Sequence, residues 1–318
     1  MSKHTQLALA AAIAGVLSLS AHAAPAAASV PAVSSAAAPA AGNPPAGSVV
    51  SAVQSPAWLV HAGTATALKP GMLVADGDTL RTAAGGRVYV QLPEHSTVKL
   101  GENTEFATPA MQMTKDDQGS LFKGVLHVLK GVFRFTTSLV GHSERRHVDI
   151  QVGVATIGVR GTDVWGRSAD DGSLVALLEG KVSMDMPGHP GMMMEQPMHY
   201  MMMPAAGEMQ MNVPVIQGNM TDWVAQTDVA PGAGVLTSDG HWTLALISST
   251  SMADTTRLMK KLAEAGYPAE DTSVMVHGKP WHRLVIRQAA SYKDAKAIVV
   301  KITKQFPVMS PWVIPPKK

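Results

Sequence analysis

Trp242-Thr-Leu-Ala-Leu-Ile-Ser-Ser-Thr-Ser-Met-Ala-Asp254 and, 40 residues on, His282-Arg-Leu-Val-Ile-Arg-Gln-Ala-Ala-Ser-Tyr-Lys-Asp294 are two copies of one pattern. Under that shift Leu244 meets Leu284, Leu246 meets Ile286, Ser251 meets Ser291, Asp254 meets Asp294, Leu258 meets Ile298 and Leu262 meets Ile302, an internal repeat. Each copy opens on an alternating run suited to a half-buried strand. It then reaches a Ser-x-x-Asp start whose hydroxyl can cap a first helical turn, and continues with apolar residues at helical spacing. Gly266 and Pro307 supply the stops. With further strands expected at 273–277 and 308–314, the order is βαββαβ. That is a small ferredoxin-like α+β domain over 240–318, a four-stranded antiparallel sheet with both helices on one face.

The other face of the sheet is left open. If Leu244, Leu246, Leu284 and Ile286 face the helices, alternation turns Thr243, Ala245, Ile247, Arg283, Val285 and Arg287 away, with Trp242, Trp281 and His282 near the strand starts. Aromatic faces stack on sugar C–H surfaces, and Arg forks hold carboxylates or hydroxyls. Trp242, Thr243, Ala245, Ile247, Trp281, Arg283, Val285 and Arg287 are therefore the candidate binding residues. Each Trp has a plainer alternative as a packing contact, and each Arg as a solvated strand position.

From Gly240 to Pro315 the chain resembles the SPOR (sporulation-related repeat) domain, an envelope module whose family binds peptidoglycan glycan strands stripped of stem peptides, often at the division septum. The family's first-strand aromatic-x-Val-Gln-x-Gly-Ser is matched by Trp242-Thr-Leu-Ala-Leu-Ile-Ser248, and its third-strand Arg-Val-x-x-Gly-Pro by Arg283-Leu-Val-Ile-Arg-Gln288. Ala245, Ile247 and Arg287-Gln288 depart from that pattern, on or beside the proposed face. The fold also serves RNA-binding modules, but no Gly-Phe-rich aromatic motif marks the central strands, and no nucleic-acid partner is expected.

Working outward, 226–239 gathers Pro231, Gly232, Gly234 and Asp239 and reads as a linker. Charge divides there too. Residues 240–318 carry 12 Lys and Arg against 5 Asp and Glu, and the remainder carries 14 against 19, which the whole-chain value of +2 conceals. At the other end, Lys3, the uncharged run Leu7–Leu19 and Ala21-His22-Ala23 compose a signal peptide over 1–23, cleaved after Ala23. The run is too short for a good membrane span, and no stable span is expected after cleavage. Residues 24–48, nearly all Ala, Pro, Ser, Val and Gly, read as a disordered tether.

The stretch 49–225 reads as all-β and elongated or solenoid-like. Arg87-Val-Tyr-Val-Gln-Leu92, Thr97-Val-Lys-Leu100, His147-Val-Asp-Ile-Gln-Val152 and Leu174-Val-Ala-Leu-Leu178 alternate between Gly-containing turns, and 119–130 favours strand over helix. Gly71 to Thr82, Gly86 to Leu92, Val159-Arg-Gly-Thr162 and Leu178-Glu-Gly-Lys-Val182 resemble, in order, the signatures of the FecR-type periplasmic domain. Gly77 and Gly161 suit positive φ, and Asp78, Arg160 and Thr162 suit turn-fixing hydrogen bonds, with a ligand site as the alternative. The resemblance implies an envelope-protein partner.

Eleven of the 20 methionines crowd into the 28 residues 184–211, an insertion in the β domain. Thioethers are soft neutral ligands for Cu(I), and imidazole adds Cu(II) capacity. Met184, Met186, His189, Met192, Met193, Met194, Met198, His199, Met201, Met202 and Met203 are the candidate copper ligands, on a segment that Pro187, Pro190 and Pro197 make a flexible loop. The alternative is an extended hairpin whose Met side chains cover apolar surface. The absence of cysteine excludes disulfides, thiolate metal sites and cysteine nucleophiles.

Two function classes follow. The favoured one is a non-enzymatic periplasmic protein that holds peptidoglycan glycan strands, septal or general to the envelope, with no cofactor and with the FecR-like domain as partner-binding or scaffold module. The alternative is a periplasmic copper-binding protein. An enzyme finds little support: Glu94, Glu102, Glu105 and Asp163 form no acid/base pair with a recognisable setting, and His142 and His147 lack a nucleophile motif.

Overall fold

The computed structural model describes residues 47–137, 145–307 and 309–316. The signal peptide and all but the last residues of the tether lie outside them. Pro45–Lys318 forms one compact unit. Its strands run β1 (Ser48–Gln54), β2 (Ala57–His61), β3 (Thr64–Ala67), β4 (Leu73–Val74), β5 (Asp78–Thr82), β6 (Arg87–Gln91), β7 (Thr97–Leu100), β8 (Glu105–Asp116), β9 (Gly119–Thr136), β10 (Arg145–Val152), β11 (Ala155–Val159), β12 (Asp163–Ala169), β13 (Gly172–Glu179), β14 (Val182–Met186), β15 (His189–Met194), β16 (His199–Pro204) and β17 (Gln210–Pro214). Helix α1 (Gln217–Thr227) and strand β18 (Val235–Thr237) lead into β19 (Trp242–Ser249), α2 (Met252–Glu264), β20 (Glu270–Val276), β21 (Lys279–Ala289), α3 (Tyr292–Gln305) and β22 (Trp312–Ile314).

The β region coils back and forth between two sheets. One has the order β17-β16-β13-β12-β9-β7-β6-β1, the other β3-β2-β5-β8-β9-β10-β11-β14-β15. Strand β9 belongs to both, its first part pairing with β8 and β10 and its last part with β7 and β12. The change of sheet falls at Gly131. Its φ is +95°, and a Cβ there would lie 2.3 Å from Thr104 Oγ1, so only glycine fits. Alternation places Leu80, Phe106, Phe122, Leu126, Phe133, Phe135, Ile150 and Ile157 in the core, all at most 1% exposed. Each such side chain contributes about 1.5–3 kcal/mol by leaving water.

Helix α1, where only strands were expected, lies against the first sheet. Trp223 stacks on Trp165 at 4.9 Å and 8°, with Tyr200 edge-on at 5.7 Å. Its apolar residues are few and no side chain caps its start, so it carries little periodic signal of its own. Just beyond it, Asp228 accepts from Lys99 Nζ (2.6 Å) and Tyr89 Oη (3.1 Å), and the Val229 N–H donates to Tyr89 Oη (2.8 Å). Burial, with the Asp228 charge adding to it against the Val229 bond, pushes the Tyr89 hydroxyl up to about 12. Nearby, Arg134 grips Asp163 through two bonds, at 2.8 and 2.5 Å, which hold the guanidinium above its ordinary value despite burial.

The C-terminal region has the expected βαββαβ order, as an antiparallel sheet β20-β21-β19-β22. Leu244, Leu246, Leu284 and Ile286 are fully buried with Leu262 and Ile302 of the helices. Ser251 Oγ accepts from Asp254 N at 3.3 Å and Ser291 Oγ from Asp294 N at 3.1 Å, the two repeat-related caps. Beyond α2, Gly266 (φ +77°) donates to Ala263 O and Tyr267 donates to Leu262 O, a Schellman ending. The last strand is shorter than expected, only Trp312–Ile314, and Val308 lies outside the described residues.

The 226–239 stretch, expected as a linker, holds the end of α1, a tight turn and β18. Strand β18 pairs antiparallel with β1 through Val235, Leu236 and Thr237, and Leu236 also pairs with Ala289 of β21. The first sheet therefore continues into the C-terminal sheet. The carboxylate of Asp294, 2% exposed, accepts from the N–H groups of Gly232 (2.7 Å), Gly234 (3.1 Å) and Val235 (3.0 Å), fastening the turn to the start of α3.

Candidate functional site

The open face of the C-terminal sheet is built by register. Across strands Trp312 opposes Ala245, Ala245 opposes Val285, Val285 opposes Glu270, Arg283 opposes Thr272 and Ser248, and Trp281 opposes Val274. Opposed residues share a face, so these side chains form one surface. Ala245 and Val285 make a closed floor, and Arg283 rises from it with its guanidinium over the Trp312 ring, 5.3 Å from the centroid. Arg283 Nε also donates to Ser248 Oγ at 3.0 Å, which fixes the fork. Trp312 stays 42% exposed. A flat aromatic beside a positioned guanidinium can stack on a sugar ring and bond its hydroxyl or carboxylate groups.

Of the expected residues, Thr243, Trp281, Arg283 and Arg287, together with Ala245 and Val285, which at 0% and 2% exposure are closed to direct contact with a ligand, fall on this face or its margin. Two do not. Leu246 is the extra residue of a bulge, which sets Ile247 opposite Leu284 and so on the helix side. Trp242 opposes Ala289 and packs on Tyr292 at the start of α3, ring centroids 5.3 Å apart. Arg287 is on the margin, but its Nε donates to Glu270, so part of its charge is already answered. Trp312 was missed by sequence reasoning. Its signal was an aromatic in the short run Pro311-Trp-Val-Ile314, whose register against β19 no periodicity announces.

In the β domain the turn-fixing side-chain bond expected of Asp78 is made and neighbouring Thr82 makes two more. Thr162 is held only through its backbone, and its buried Oγ1 has no partner among the described residues. Asp78, nearly fully buried, accepts from Ala75 N at 2.7 Å and meets His61 Nδ1 at 2.6 Å. Thr82 Oγ1 donates to Gly101 O (2.6 Å) and accepts from Thr104 N (2.9 Å), and Thr162 N donates to Thr137 Oγ1 (3.0 Å). Gly77 and Gly161 have φ of +80° and +85°, and Arg160 is exposed on the latter's turn.

The methionine tract is two hairpins rather than a flexible loop, β14 with β15 in one sheet and β16 with β17 in the other. Its prolines do not prevent this, since Pro187 sits in a turn, Pro190 on an edge strand and Pro197 in the connection. Met184, Met186, Met194, Met201 and Met203 are buried in the sandwich core. Of the candidate ligands, Met193, Met194 and Met201 come together with Met211 around a cavity of about 270 Å³. His189 sits exposed at a hairpin tip and His199 Nδ1 meets Pro197 O at 3.0 Å; neither lines that cavity. Met184, Met186, Met192, Met198, Met202 and Met203 also lie outside its lining. Among the described residues no group of three or more His, Asp or Glu is placed to hold a metal ion.

Residues 78–183 match the family model described as FecR protein, and residues 238–315 match the SPOR domain. The chain thus carries a FecR domain followed by a C-terminal SPOR domain. Both are non-catalytic binding domains typical of periplasmic envelope proteins, and a SPOR domain indicates peptidoglycan binding. No curated protein matches the chain. Two crystal structures of a protein assigned as an anti-sigma factor from Parabacteroides distasonis, at 1.65 and 2.50 Å resolution, align over 72% of this chain, with TM-score 0.37 and 16% identity. They cover 92% and 91% of those chains, and the likeness is too distant to carry an argument. Among the described residues no helix is long and apolar enough to cross a membrane.

Proposed function

We propose that this protein is exported after cleavage at Ala23 and holds peptidoglycan glycan strands on the open face of its SPOR domain, with the FecR domain presenting a second surface to an envelope partner. The observation that carries this reading is the Arg283–Trp312 pair standing over the Ala245–Val285 floor. The net positive charge of the domain favours approach to an acidic wall. Septal enrichment follows if stripped glycan is the preferred ligand, because such strands arise where the septal wall is split.

Co-sedimentation of the mature protein with bacterial sacculi, before and after amidase removal of stem peptides, tests the reading. Pelleting that rises on stripping is expected. No pelleting with either preparation overturns it.

A further inference from the structure

The cavity at the end of the β sandwich lies where the edge strands of its two sheets, β15 and β17, come together. Met193 and Met194 come from one hairpin, Met201 and Met211 from the other. We propose that this cavity is a thioether site for a soft monovalent metal ion, Cu(I). The inference is independent of the glycan reading.

Packing explains part of the tract and leaves this part over. Met184, Met186, Met194, Met201 and Met203 all fill the core as any flexible apolar side chain could, so what packing leaves over is the exposed pair at the mouth of the cavity. Met193 and Met211 are 51% and 42% exposed on strands, where methionine has no particular β preference and an exposed apolar group gains little. What the four residues share is the lining of one cavity, with Met194 and Met201 on its core side and Met193 and Met211 on its exposed side. The lining itself brings no Lys, Arg or His, only a carboxylate and amides at the rim, Glu195 and Asn212 among them, and Lys181 is paired with Glu195 at 3.9 Å. Neutral thioethers favour Cu(I) over the harder Cu(II). They carry no titrating proton near neutrality, so binding should release none, unlike a histidine site.

The test is anaerobic competition of the mature protein against a chromophoric Cu(I) chelator at about pH 7.5 and about pH 5.5, conditions that straddle the imidazole range. One ion per chain with unchanged affinity across that range is expected. The double variant Met193→Leu/Met211→Leu keeps volume and apolarity, and its thermal melt checks the fold. It should weaken binding at least by the roughly 10–100-fold that losing outer-shell partners alone costs a metal site. His189→Ala/His199→Ala should change nothing. Because the chain has no cysteine, sulfur scattering at the copper edge of the loaded wild-type protein identifies methionine ligation even if the leucine variant fails to fold. Failure to compete with the chelator, affinity that falls with protonation, nitrogen or oxygen ligation alone, or full affinity in a folded leucine variant each overturns the proposal.

Discussion

The indole Nε1 of Trp58 donates to the backbone carbonyl of Ala263 at 2.9 Å, tying the FecR-bearing region to the last turn of α2 across 205 residues of sequence. Next to it Ala57 N donates to Gly266 O, and a Cβ on Gly266 would come within 2.8 Å of both Pro56 and Trp58. Trp58→Phe removes the bond and keeps most of the ring, with an expected loss of about 0.5–1.5 kcal/mol in denaturant unfolding. Gly266→Ala adds strain of about 1–3 kcal/mol at a positive φ as well as the clash. Its loss should be the larger, and unfolding should separate into two transitions. A wild-type unfolding curve for both variants would show that this junction contributes nothing.

The two aspartates whose amide N–H groups donate to the capping serines should behave unequally despite their equivalent places in the repeat. Asp254 is exposed and paired with Arg257, whereas Asp294 serves three backbone amides of the 232–235 turn. Removing an acceptor from buried amides costs about 1–3 kcal/mol for each group stranded, and exposed pairs are worth about 0–1 kcal/mol. Asp294→Ala should therefore lose about 3 kcal/mol or more and Asp254→Ala about 1 kcal/mol or less by urea titration. Equal losses would remove the turn anchor from the account.

On the open face, Trp312→Ala and Arg283→Ala should each reduce retention on stripped sacculi by about 1–2 kcal/mol, roughly 5–30-fold in affinity, without moving the thermal midpoint. Arg283→Lys keeps charge but loses the planar fork, so most of that loss should persist. Trp242→Phe, whose ring packs on Tyr292, should bind as wild type. The reverse ranking of Trp312 and Trp242 would place the ligand elsewhere.

Alkaline stability provides a separate check. The Tyr89 hydroxyl is neutral in the folded protein up to about 12 against an ordinary 10.0, so its contribution is complete below 10 and is lost as pH rises through that window. In Tyr89→Phe the fall in urea midpoint between those limits should be shallower than in wild type. Parallel curves would mean that Tyr89 ionises without regard to folding.

What sequence could and could not disclose follows from the range of each interaction. The repeat, its Ser-x-x-Asp caps and the βαββαβ order are local patterns, and all three stand in the structure. The β character of the first region was legible for the same reason. The bulge at Leu246 was not, since strict alternation has no mark for one extra residue, and that slip is what sends Ile247 to the helix side. Strand β18 is three residues long and draws its stability from partners about 180 residues earlier and about 50 later, so its Gly- and Pro-rich flanks spoke for a linker. A hairpin was one of the two readings open for the methionine tract, but its division into two hairpins, one in each sheet, depends on pairings that the residue type does not signal. Trp312 depended on a pairing register that only the assembled sheet supplies.

Strand β18 also has a mechanical meaning. A binding module joined by a slack tether would let its companion wander, whereas the SPOR domain shares a hydrogen-bonded sheet with the region before it and is held there at Trp58, with Asp294 fastening the intervening turn. Under the proposed glycan-binding function, tension or torsion in a captured strand would turn the FecR domain as a lever rather than merely stretch a leash, giving a partner docked there a fixed height and heading relative to the wall.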